Sequence, residues 1–363
     1  MEIESGLQPS WIRLQTKVLL ATTRMQSLSE KHPIKKWLAN AMRRRTAKTR
    51  HRSNFENILQ QFPYMAQKLE TIEPYIRPPW WTPTTKLHAA ATKTNAADLH
   101  DELQRLAASR RDTMTIYTDG SGIDGKIGAA AYNASSKEIN HQHLGDETQY
   151  NVYAAELTGI HMAVTQWERS EYPICRIFID SQAAGTSITQ PRTQSGQSII
   201  KATIDLIDDI RAQHPHRWLQ LVWVPGHHGV EGNERVDTEA KRAATDPTLS
   251  HPFNHSPLKS SRSQYIKALA KTRWEKEWTE NTTTAKQLRC MLTKGAAQRG
   301  PKVYNSTANR GACAKLAQLR TGHCELNNYL HRFEKRNSPY CECGYGKETV
   351  AHFVLECRKY KEQ

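Results

Sequence analysis

Long apolar runs are missing from this sequence. Nothing approaches the ~18 consecutive apolar residues of a membrane-spanning helix, and the longest apolar stretch near the N-terminus, Val18 to Ala21, is far shorter than the core of a secretory leader. The expectation is an intracellular protein of nucleus or cytoplasm, neither secreted nor membrane-bound. Cysteine is scarce as well: there are 7 in 363 residues, and three of them crowd into positions 341–357. That distribution excludes a disulfide framework and leaves reduced thiols with one local cluster. Acidic residues are outnumbered, 36 Asp and Glu against 51 Lys and Arg, for a net charge of +15. Acidic-protein partners are thereby disfavoured, and a polyanion, with nucleic acid first, is favoured.

The charge is segregated. Residues 1–112 carry a net +9, residues 113–247 carry −6, and residues 248–363 carry +12. At roughly 150 residues per domain, the length suggests two or three domains. Trp11, Leu14, Val18 and Leu19 recur at helical spacing, so residues 1–85 read as a helical basic extension ending in a proline-rich stretch from Pro74 to Pro83. The tract from Arg43 to Arg52 is a basic run open to two readings, a solvated surface or a nucleic-acid contact. Residues 86–112 read as a linker.

From Thr113 the text turns to short strands. Met114–Thr118 alternates, Ile127–Tyr132 follows the Asp124-Gly125 turn signal, and Glu138–Leu144 makes a third. Leu157, Ile160, Val164 and Trp167 form a helical stripe, and Ile200, Ile204, Ile207 and Ile210 another. Strands are predicted at Arg176–Ile179 and Arg217–Val224, a short helix at Ser181–Thr189 and a last helix from about Asn233 to Ala244. This order implies an α/β domain over 113–247, a mixed sheet flanked by helices. A Ser/His/Pro-rich linker at 248–262, a helical basic region at 263–335 and a small Cys/His segment at 336–363 complete the chain.

Three carboxylates stand at strand or helix ends: Asp119, Asp180 and Glu156, with Asp237 on the last helix as a fourth. If the strands before Asp119 and Asp180 are neighbours, the two acids lie side by side, and the helix behind them can deliver Glu156. Clustered carboxylates are costly unless paired or bound to cations, and hard oxygen donors suit Mg2+ or Mn2+. Taken singly, each reads as an ordinary turn or helix-surface acid. Two other patterns are set aside. Gly120 to Lys126 imitates a phosphate loop, but Ile127 stands where Ser or Thr is required and a strand follows. Asp208-Asp209 imitates a polymerase acid pair, but lies within a helical stripe and reads as a solvated face.

The segments Tyr117-Thr-Asp-Gly-Ser-Gly122, Tyr153-Ala-Ala-Glu-Leu157, Ile177-Phe-Ile-Asp-Ser-Gln182 and Trp223 through Gly226-His227 and Gly232-Asn233-Glu234 to Asp237 resemble, in order, the motifs of type 1 ribonuclease H. The resemblance covers about residues 113–247. It implies a five-stranded mixed sheet and hydrolysis of the RNA strand of RNA/DNA hybrids with two Mg2+ or Mn2+ ions. Asp119 would bridge the two ions, Glu156 and Asp180 would complete one site, and Asp237 would serve the other. His227 would assist water delivery or product departure, and Ser121, Gln182 and Asn233 would contact substrate. Tyr153 stands where cellular members carry a polar amide. The basic helical handle that some members insert between the positions of Thr189 and Gln197 is absent.

Cys341, Cys343, His352 and Cys357 make a C-x-C-x8-H-x4-C set suited to tetrahedral Zn2+, with free thiols as the other reading. With Leu319–Leu330 before it, this tail resembles that of non-LTR retrotransposon polyproteins, so the chain looks like a C-terminal fragment of one, with a reverse transcriptase as a possible partner in trans. Three functions remain open on the sequence: a hybrid-cutting endonuclease, a catalytically silent nucleic-acid-binding relic, and a strand-transfer enzyme of similar fold. The motif ending at Asp237 speaks against the third.

Overall fold

A computed structural model describes residues 7–44, 54–89, 93–109, 112–226, 230–249, 256–280, 304 and 309–361. The chain divides into two compact units, one spanning Val18–Ile266 and the other joining Met1–Lys17 to Lys267–Gln363. No described helix is long and apolar enough to cross a membrane.

The N-terminal region contains α1 (Ser10–Gln26), α2 (Pro33–Arg44) and α3 (Asn54–Gln61). A sheet follows, built from β1 (Lys86–His88), β2 (Thr113–Ile123), β3 (Lys126–Asn133), β4 (Ile139–Asp146), β5 (Ile174–Ile179) and β6 (Trp218–Trp223). The strand order is β1-β6-β5-β2-β3-β4. The pairs β1–β6, β6–β5 and β5–β2 are parallel, and β2–β3 and β3–β4 are antiparallel. Asp124 and Gly125, at φ of 48° and 74°, make the tight turn between β2 and β3, a left-handed pair that hairpins favour.

Alternation along the strands sorts two cores. Ile116, Ile177 and Leu221 face α5 (Val152–Glu168) and α7 (Gln197–Gln213), whose stripes of Leu157, Ile160, Val164, Trp167, Ile200, Ile204, Ile207 and Ile210 are buried with them. Tyr117, Phe178 and Val222 face the other way, onto Val236 and Ala240 of α8 (Glu231–Thr245). The short α6 (Gln182–Thr189) follows β5, with Ser181 as its N-cap.

Two expectations are corrected. The sheet has six strands and not five, because Lys86–His88 adds an edge in register with Gln220–Val222. Leu87, half-buried, packs on the core at Gly185, where an added Cβ would meet its methyls at 2.9 Å. Nor is 86–112 a linker. It also contains α4 (Lys93–Ser109), whose His100 Nε2 lies 2.9 Å from the Tyr117 hydroxyl and whose Leu103 carbonyl accepts from Arg176.

The segment before β1 is likewise fastened to this unit. Buried Glu70 accepts from the Ser195 hydroxyl and, at 2.8 Å each, from the backbone N–H groups of Gly196 and Lys259. Asp208, expected on a solvated face, accepts from Trp81 Nε1 at 3.1 Å and pairs with Arg77. The C-terminal unit continues through α9 (Lys259–Glu280), which begins in the first unit, and holds α10 (Arg310–Thr321), α11 (Asn327–His331) and a π-helical turn at His352–Glu356.

Candidate active site

Parallel pairing places the first two acids. Thr118 is in register with Ile179, so the next residues, Asp119 and Asp180, stand side by side where β5 ends. Asn151 caps α5, accepting from Ala154 N–H at 3.0 Å and fixing where that helix starts. The helix then passes over Gly120, where an added Cβ would sit 2.5 Å from the Glu156 nitrogen and 2.8 Å from Ala155 Cβ. Only glycine permits that approach, and the approach brings Glu156 to the two aspartates. Ligand oxygens of Asp119, Glu156 and Asp180 all lie within 4.8 Å of one another.

Burial and mutual repulsion act on these acids in that order. Asp119 is pushed up to about 7, first by burial, then by the charges of Asp180 and Asp237. Glu156 is raised well above the ordinary carboxylate range, first by burial, then by Asp180 and Asp119. The Gly120 backbone N–H opposes both shifts. A site of this kind binds a proton or a cation, and three clustered carboxylates supply the hard oxygens that Mg2+ or Mn2+ prefers. Asp237, on α8, stands outside the three-acid group and is held by Lys241 one turn on, Nζ to Oδ2 2.6 Å. Lys241 was not singled out in the sequence, although its i,i+4 spacing from Asp237 is a readable signal.

The RNase H family pattern matches residues 111–245. A ribonuclease H from Pseudomonas aeruginosa (strain LESB58) is 30% identical over 151 residues, which is 38% of this chain and 96% of that protein. The chain belongs to the ribonuclease H family. A Pol polyprotein of equine infectious anemia virus (strain Wyoming) is 30% identical over 144 residues, and this chain spans 12% of its length. A Pol polyprotein from the type-1 retrotransposable element R1 of Bradysia coprophila is 38% identical over 52 residues, 5% of its length.

The remaining expected positions divide. Ser121 lies two residues beyond Asp119 on β2 and is buried, and Gln182 is exposed on the first turn of α6. Asn233 is buried, and its Oδ1 has no partner among the described residues. His227 lies outside the described residues, as does most of the basic tract Arg43–Arg52.

In the C-terminal unit, ligand atoms of Cys341, Cys343, His352 and Cys357 also lie within 4.8 Å of one another. Cys341 and Cys357 sulfurs are 3.7 Å apart, and Cys343 Sγ is 3.2 Å from His352 Nε2. The other ring nitrogen, Nδ1, faces Glu356 at 3.5 Å, the outer carboxylate contact typical of a ligating histidine. Gly344, at φ +78°, supplies the left-handed turn after Cys343, and Cys341 N–H donates to the Gly346 carbonyl. The Cys341 thiol is raised to about 11 by burial, and that of Cys343 lowered to about 7 by the Tyr345 backbone N–H. Three sulfurs and one imidazole nitrogen suit Zn2+.

Proposed function

We propose that this chain is a metal-dependent endonuclease that hydrolyses the RNA strand of RNA/DNA hybrids. The observation that carries the reading is the three-carboxylate cluster in a family whose members include proteins named ribonuclease H. Asp119, Glu156 and Asp180 would hold one Mg2+ or Mn2+, and Asp119 with Asp237 a second. Bound there, such cations lower the pKa of water and stabilise the leaving oxygen of a cleaved phosphodiester. The residues themselves fix the geometry: β2 and β5 hold the aspartates rigidly, and burial of Glu156 keeps water from competing for its oxygens. His227 would move a proton or help product leave, and Ser121 and Gln182 would contact the hybrid's minor groove.

The Cys341, Cys343, His352 and Cys357 set would hold a structural Zn2+ that orders the tail. Similarity to retroviral and R1 Pol polyproteins supports an origin in a non-LTR retroelement, with a reverse transcriptase supplying hybrid in trans inside nucleus or cytoplasm.

Labelled RNA/DNA, RNA/RNA and DNA/DNA duplexes, each incubated with Mg2+ and with EDTA, test the proposal. Cleavage of the RNA in the first alone, abolished by EDTA, is the expected result. Binding of hybrid without cleavage under any metal would instead establish the silent relic.

A further inference from the structure

The proline-rich segment before β1 is rigid, yet presents two large aromatic rings to solvent. Pro74, Pro78, Pro79 and Pro83 fix φ at four of its ten positions. Its backbone is tied at Glu73, which exchanges two hydrogen bonds with the Gln197 amide at 2.7 and 2.8 Å, and at Pro74, whose carbonyl accepts from Thr193 at 2.8 Å. Arg77 pairs with Asp205 at 2.7 Å, and Ile76 and Trp81 pack inward on the main core. The neighbours of those two residues face the other way, Tyr75 at 81% exposure and Trp80 at 82%.

Tyr75 lines a groove of about 500 Å3 between this segment and the end of α6, with Trp81, Arg77 and Arg192 among its walls. Of the two guanidinium groups in the lining, that of Arg77 is held by Asp205 and Asp208, and that of Arg192 is exposed at the groove. Exposed aromatic faces on a tied backbone, beside an arginine, form a platform on which bases of a single strand stack while a phosphate meets the cation. The groove is also close to the acids. Helix α6 begins two residues after Asp180 and ends at the groove, about 12 Å away for eight residues at ~1.5 Å each. At ~3.4 Å per base along one strand, that is about four nucleotides.

We propose that Tyr75, Trp80 and the Arg192 groove bind single-stranded nucleic acid continuing from the duplex cut at the carboxylates. The position of the strand relative to the cut rests on the ribonuclease reading; the binding itself does not. The full-length chain and the Tyr75→Ala/Trp80→Ala double variant are compared in two arms. In the first, fluorescein-labelled twelve-nucleotide oligothymidylate and oligouridylate are titrated at fixed Mg2+. The double variant should bind at least tenfold more weakly, and Arg192→Ala more weakly than Arg192→Lys; the better of the two probes identifies the strand as DNA or RNA. In the second arm, KM is measured for a blunt hybrid and for the same hybrid with an eight-nucleotide tail of that type at either end. The wild type should prefer one tailed form about tenfold, and the double variant should bring that ratio close to one. Equal oligonucleotide affinity in wild type and double variant overturns the proposal, as does a groove that proves instead to join two copies, seen as a dimer in sedimentation that the double variant abolishes. If no hybrid is cut at all, the first arm still decides the site.

Discussion

Asp119 holds its proton more tightly in the folded chain than in the unfolded one, with a pKa of about 7 against an ordinary 3.8. The stability this group contributes is therefore fully present below about pH 4 and is lost as pH rises through 7. In chelator at pH 8, Asp119→Asn should melt several degrees higher than wild type, since it removes the buried charge that Asp180 and Asp237 repel. The same variant should lose hydrolysis by roughly a thousandfold or more, because an amide surrenders one anionic donor. Thermal melts with EDTA and with Mg2+ check this, and a variant melting no higher than wild type at pH 8 would dismiss the repulsion. A cation must also displace the proton. The Mg2+ concentration for half-maximal activity should thus rise about tenfold per pH unit below 7, as Mg2+ titrations at pH 6 and 8 would show. Asp119, Glu156 and Asp180 could be read from their motifs because local strand and helix patterns place them. Glu70 could not, since its partners Gly196 and Lys259 are 126 and 189 residues away and no local period marks them.

Elements show the same division. The stripes of α5 and α7 and the alternation of β2 and β3 are visible because each buries one face along its length. Strand β1 is not, since three residues carry no period, and α4 is not, because its largely polar sequence docks with partly buried Leu99 and Leu103 on the core and with His100 and Gln104 on one tyrosine. Where helix meets strand, Gly120 is the contact. Gly120→Ala should cost about 1–3 kcal/mol of stability and most of the activity, because the new methyl must push the Glu156 backbone away from Asp119. Urea unfolding and single-turnover cleavage would measure both, and wild-type rates would sink the argument. At the other end of the chain, Cys341→Ser with Cys343→Ser should abolish Zn2+ uptake and make the tail protease-sensitive, while hybrid cleavage persists. Elemental analysis and limited proteolysis read this out, and a tail equally resistant without metal would exclude a zinc fold.

Across the whole molecule, charge and catalysis are divided between different stretches. Residues 113–247 carry −6 and hold the acids, while residues 248–363 carry +12. Removing residues 267–363 should weaken hybrid binding and flatten the dependence of log affinity on log salt, which falls by ~0.9 per phosphate contact on duplex. Equal slopes at fixed Mg2+ would show the basic tail to be mere solvated surface. Cutting back to 113–247 should do something different, since that fragment also loses β1, α4 and the Glu70 fastening. The edge pairing has a consequence in time. His88 of β1 meets Gln220 of β6 across 132 residues of chain. A ribosome adding about 5–20 residues per second releases β1 long before its partner exists. During synthesis Leu87 and Trp81 therefore wait uncovered, and the first part of the sheet to be translated is among the last to be closed.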